Sequence, residues 1–211
     1  MSKLRRDRER RPARRVPFLE PKPRILVVCE GEVTEPQYLI GFKNACRNSR
    51  VDVEISPEHG VDPKTLVEDA KARKKKADKA AENERDENLK YDSVWAVFDV
   101  DDHAHIPDAV QMARDNGIDL AISNPSFELW LLLHFRDNPG MKSREVVARL
   151  LRTHDKGYHK HVDYHRYKEG YSQAVSRAKR LDTIANDAGT PAWNCNPTTG
   201  VHRLTESIRD D

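Results

Sequence analysis

Three cysteines, Cys29, Cys46 and Cys195, in a chain of 211 residues show neither paired nor metal-like spacing. An odd, scattered set of this kind argues against a secreted disulfide scaffold and for a reducing compartment. No apolar run approaches the ~20 residues that cross a bilayer, and the charged start lacks the apolar segment of a secretion signal. The expectation is a cytoplasmic protein with no membrane role. Net charge is also scarce, at +2, but it is unevenly spread. Residues 1–24 hold ten Lys or Arg against three acids, a balance of +7, and the rest holds 27 basic against 32 acidic residues, a balance of −5. Such a tail suggests a polyanionic partner, nucleic acid above all, with Arg5, Arg6, Arg10, Arg11, Arg14 and Arg15 as its contacts. Four prolines punctuate it, and the alternative is a solubilising arm.

What the chain does have is a regular alternation of short apolar runs and amphipathic stretches. Ile25-Leu26-Val27-Val28, Val94-Trp95-Ala96-Val97-Phe98 and residues 118–122 read as strands buried on both faces, the habit of parallel sheets covered by helices. Val51–Ile55 alternates apolar and acidic residues and reads as an exposed edge strand. Thr34 with Gln37 forms a capping-box pattern that opens a helix toward residue 48. Asp62-Pro63 opens a long charged helix toward 88, another follows Pro107, and an apolar one spans about 127–135. The order β-α-β-α-β-α-β-α implies an α/β fold with a mostly parallel four-stranded sheet flanked by helices. After Pro139 the pattern is helical only, near 143–153, 172–187 and beyond 199. The division expected is a basic tail over 1–23, an α/β domain over 24–138 and a helical C-terminal extension over 139–211 packed on that domain.

Ligands of open parallel sheets bind beyond the carboxyl ends of the strands. Glu30-Gly31 follows the first strand, Asp99-Val100-Asp101-Asp102 the third, and Ser126-Phe127-Glu128 lies just past the fourth. Three strands therefore deliver carboxylates to one rim, and a hard divalent cation is the economical way to neutralise them. Magnesium is the expected ion, manganese a substitute. Asp99 and Asp101 start on the same face of an extended backbone, so one ion is within reach of both. Taken singly the signals are weaker, because strand-end acids often cap helices. Glu35 and Glu128 each have a second reading as helix N-terminal acids favoured by the macrodipole.

Cations are missing from the sequence around these acids. The segment 156–168 supplies them: Lys156, Lys160, Arg166 and Lys168 interleave with Tyr158, Tyr164 and Tyr167, which reads as phosphate attraction plus base stacking. Zinc held by His159, His161 and His165, or an exposed linker, are the competing readings. The basic run 71–79 lies on a helix whose second half is acidic and reads as a solvated face.

Several blocks taken together resemble the RloB-like family: Val28-Cys29-Glu30-Gly31 with Thr34-Glu35-Pro36-x-Tyr38, then Phe98-Asp99-Val100-Asp101-Asp102-His103, then Ser123-Asn124-Pro125-Ser126-Phe127-Glu128-Leu129-Trp130, and finally Asn196-Pro197-Thr198-Thr199-Gly200-Val201. The resemblance implies a Toprim-like (Rossmann-like) domain, the metal-binding fold shared by topoisomerases, bacterial primases and OLD-type nucleases. Glu30, Asp99 and Asp101 then match metal ligands, and Glu35, Ser126 and Glu128 look like the completion of a two-metal site. Lys160, in the pair Tyr158-x-Lys160, looks like a catalytic contact to the transition state. The implied activity is magnesium-dependent phosphodiester hydrolysis in bacterial restriction or phage defence, beside an ATPase partner. His103 replaces the third aspartate of topoisomerases. A non-catalytic binding subunit that keeps the fold is the second reading. A phosphatase of the haloacid-dehalogenase type, suggested by Phe98-Asp99-Val100-Asp101, ranks below both.

Overall fold

The computed structural model describes residues 22–56, 62–100 and 105–209. Five strands form one sheet: β1 (Ile25–Cys29), β2 (Val51–Ile55), β3 (Ser93–Asp99), β4 (Asp119–Asn124) and β5 (Thr198–Thr199). Their order is β2-β1-β3-β4-β5, with every pair parallel except β4 and β5. The α/β class, the mostly parallel sheet and the edge position of β2 match the sequence pattern. The count of four strands does not, because the chain returns to add β5, whose Thr199 pairs with Ser123 of β4. Two threonines are too short a run to carry any periodicity, so this strand is set by its neighbours rather than by its own residues.

The central strands are uniformly apolar because both faces of the sheet are covered. In β1 the side chains of Ile25, Val27 and Cys29 face one core, and those of Leu26 and Val28 face the other, as the two-residue repeat of a strand requires. The second core is roofed by α2 (Pro63–Glu84) and α3 (Ile106–Asp115) through Leu66, Val67, Ala70, Ala109 and Ala113. The first core is larger. It is covered by α1 (Thr34–Ala45), α4 (Glu128–Leu133), α6 (Tyr171–Asp187) and α7 (Val201–Arg209), with α5 (Arg144–His154) packed on α4. The charged helix α2 stops at Glu84, where Arg85 turns to φ 54° and its N–H bonds back to the Ala81 carbonyl.

The tyrosines of the C-terminal half belong to this first core. Tyr158, Tyr164, Tyr167 and Tyr171 are all buried. Tyr164 and Tyr167 lie edge-on to Tyr38 at 5.4 and 6.2 Å, and Tyr171 packs on Phe42 and Trp130. The sequence expectation that they stack bases is therefore corrected. Aromatic area buried against Tyr38, Phe42 and Trp130 is no longer presented to solvent. His134 stands inside the same cluster, its Nε2 3.0 Å from the Tyr38 hydroxyl and its Nδ1 2.9 Å from the Trp130 carbonyl. Burial lowers its pKa to about 4, so the ring is neutral, with Nδ1 donating and Nε2 accepting. Among the described residues no helix is long and apolar enough to cross a membrane.

Candidate active site

Because β1, β3 and β4 run parallel and in register, their carboxyl ends lie side by side. Cys29 pairs with Val97, and Asp99 with Ser123. Glu30, one residue past β1, donates its N–H to the Val97 carbonyl at 3.0 Å, and its carboxylate receives the Asp99 N–H at 3.4 Å. Glu35 comes from the first turn of α1 and Glu128 from that of α4. Glu30, Glu35, Asp99 and Glu128 line one cavity of about 310 Å³, together with Arg144 and Lys160. Asp101 lies outside the described residues, as do Asp102, His103 and the tail with Arg5, Arg6, Arg10, Arg11, Arg14 and Arg15.

The electrostatics of the cavity are those of carboxylates held too close together. Burial raises the pKa of Asp99 well above the ordinary carboxylate range, the charges of Glu35 and Glu128 push it further, and Arg144 opposes them. Glu35 is driven from the ordinary 4.5 to about 7, by burial first and then by Glu128 and Glu30. Arg144, at the start of α5, answers this field with an ion pair of 3.2 Å to Asp99. A Cβ at Gly31 would run into the Glu35 carboxylate, which would have to move.

Glu128 is held at both oxygens. Ser126, fully buried, donates to Oε2 at 2.7 Å, and the Tyr158 hydroxyl donates to Oε1 at 2.7 Å. Ser126 thus orients a carboxylate here rather than facing the cavity. Lys160 adopts φ 69°, a left-handed conformation uncommon for a residue with a Cβ. It is held there from α1: the Thr34 hydroxyl donates to the Lys160 carbonyl at 2.9 Å, and Gln37 Oε1 accepts the Val162 N–H at 2.8 Å. Gln37 Nε2 also lies 3.2 Å from His161 Nδ1. Thr34 and Gln37 therefore form no capping box, since α1 has Val33 at its N-cap with no side-chain cap. Their side chains instead fasten the 158–162 segment over the rim.

The remaining basic candidates are elsewhere. Arg166 is ion-paired with buried Asp155, which also accepts from Tyr167 at 2.8 Å. Lys168 borders a different cavity, with Phe42, Tyr164 and Tyr171. His159, His161 and His165 are exposed, and among the described residues no three His, Cys, Asp or Glu side chains close into a metal-holding group. Glu30, Glu35, Asp99 and Glu128 share the lining of one cavity. Their donor set fits magnesium or manganese: all oxygen, with Asp99 and Glu35 raised in pKa by burial and then by neighbouring carboxylates whose repulsion a divalent cation relieves. Arg144 was missed in the sequence, where 45 positions separate it from Asp99 and nothing local marks it.

The family model described as RloB-like protein matches residues 25–208. No curated protein and no solved structure matches the chain.

Proposed function

The chain belongs to the RloB-like protein family, and from that premise we propose that it is a Toprim-type nuclease that hydrolyses phosphodiester bonds with magnesium or manganese. The observation that carries the reading is the single cavity into which Glu30, Glu35, Asp99 and Glu128 converge with Arg144 and Lys160. Carboxylates of that density suit a divalent ion, and a lysine beside them suits a phosphate. Metal bound there supplies Lewis acidity and an activated water. Glu30, Asp99 and Glu35 would be its holders, with Asp101, two residues past Asp99 in the sequence, as another. Glu128 is the further ligand, kept in orientation by Ser126 and Tyr158. Lys160 takes the charge that develops on the phosphate oxygens in the transition state, and its backbone is already held in place by Thr34. The proposed setting is bacterial restriction or phage defence in the cytoplasm, with nucleic acid as substrate and an ATPase as partner.

The test is cleavage of single- and double-stranded DNA and RNA with magnesium, manganese or chelator. Wild type is expected to cut in a metal-dependent way, and Asp99→Asn and Glu30→Gln to lose cleavage while staying folded. Full activity in both variants would sink the reading. Binding without cleavage would make the chain a non-catalytic subunit, and release of phosphate from a small monoester alone would make it a phosphatase.

A further inference from the structure

A second groove, of about 440 Å³, adjoins the carboxylate cavity and shares Glu128, Arg144 and Lys160 with it. Its floor is one stripe of α5, residues Arg144, Ala148 and Arg152, four positions apart and hence on one helix face. Its far wall is Tyr158 and Lys160. The field changes sign on passing from one recess to the other. The cavity carries five acids, Glu32 included, against two cations, whereas the groove carries three cations against Glu128 and Glu145. Arg152 and Lys160 have no ion-pair or hydrogen-bond partner for their side chains among the described residues. Arg144 stands at the junction with its guanidinium on Asp99.

We infer that this groove seats the phosphate backbone of a single strand whose reacting phosphate lies in the carboxylate cavity. The inference rests on the nuclease reading and adds the path of the substrate. An acidic cavity repels a polyanion, so the chain must supply cations leading into it. The stripe from 144 to 152 is about 12 Å long at 1.5 Å per residue, enough for a few phosphates of one strand. With Tyr158 buried and bonded to Glu128, no aromatic face is offered for stacking, so binding here is carried by charge and is indifferent to sequence.

The experiment uses the full chain in chelator, where nothing is cut, with labelled single-stranded DNA and RNA oligonucleotides of one sequence titrated by fluorescence anisotropy at several salt concentrations. Arg152→Ala is expected to raise Kd roughly fivefold and to reduce the slope of log K against log salt by about 0.7, the share of one phosphate contact on a single strand. Ala148→Glu, which sets a carboxylate on the groove floor, is expected to weaken binding more. The DNA and RNA arms report which polymer fits. Unchanged Kd and slope in both variants, or no binding of either oligonucleotide by wild type, overturns the groove. If wild type binds with this dependence yet cuts neither polymer in magnesium or manganese, the nuclease reading fails and the groove survives. If it cuts and neither substitution alters binding, the reverse holds.

Discussion

The hydroxyl of Tyr158 donates a 2.7 Å hydrogen bond to Oε1 of Glu128, tying a tyrosine of the C-terminal half to a carboxylate at the end of the sheet. Burial and the Glu128 charge both raise the tyrosine's pKa, so it remains a donor at any physiological pH. Tyr158→Phe keeps the ring and removes only this donor. A hydrogen bond to a charged group contributes about 1.5–3 kcal/mol, and a loss of that size in urea unfolding is expected, together with weaker metal dependence of cleavage. An unchanged unfolding midpoint would mean that Glu128 is held by Ser126 alone.

Stability without metal should fall as pH rises. The folded-state pKa of Glu35 is about 7 against an ordinary 4.5, so between those values the native protein binds more protons than the unfolded chain. Stability is therefore full below about 4.5 and is lost as pH climbs through 7, by up to about 3 kcal/mol. Thermal unfolding in chelator from pH 5 to 8 checks the sign, and Glu35→Gln should flatten the curve. Saturating magnesium should flatten it in wild type, because the cation takes over the role of the proton.

Lys160→Ala should slow cleavage at saturating substrate and metal by about 100-fold, the typical effect of removing one preorganised charge from a transition state. Thr34→Val, which frees the Lys160 carbonyl, should lower the same rate constant by a smaller factor. The two losses should not add in the double variant, because Thr34 acts through Lys160. Additive losses in steady-state rates would separate the two residues.

Gly31→Ala places a methyl group where the Glu35 carboxylate now lies. The carboxylate must move, and manganese affinity measured by calorimetry should fall by about tenfold, within the range seen when the support of a ligand is lost. Secondary structure should be retained, since the change leaves the β1 hydrogen bonds in place.

Much of this architecture was legible because buried parallel strands leave long apolar runs and because such sheets collect ligands at one known edge. Glu30, Asp99 and Glu128 could be anticipated there from chain order alone, each standing just past an apolar run. The roles of the tyrosines could not. Within 156–168 every tyrosine has a polar or charged sequence neighbour, and its partners lie far away in the chain: Tyr38 for Tyr164 and Tyr167, Thr34 and Glu128 for Tyr158. Thr34 and Gln37 were misread for a related reason. Their spacing satisfies a local helix signature, while their hydrogen bonds go to residues more than a hundred positions later. Arg144 is the extreme case, since only the folded sheet brings it to Asp99.

Thr34 and Tyr158, whose oxygens lie 3.4 Å apart, are separated by 124 residues of chain. On a ribosome adding about 5–20 residues per second, roughly 6–25 s pass between the emergence of the first and of the second. Throughout that interval the nascent polypeptide lacks Tyr158 and Lys160. The hydrogen bonds between the Thr199 and Ser123 hydroxyls and from Asn48 to the Ile208 carbonyl form later still. A half-translated copy therefore lacks both the tyrosine that orients Glu128 and the lysine proposed to meet the phosphate.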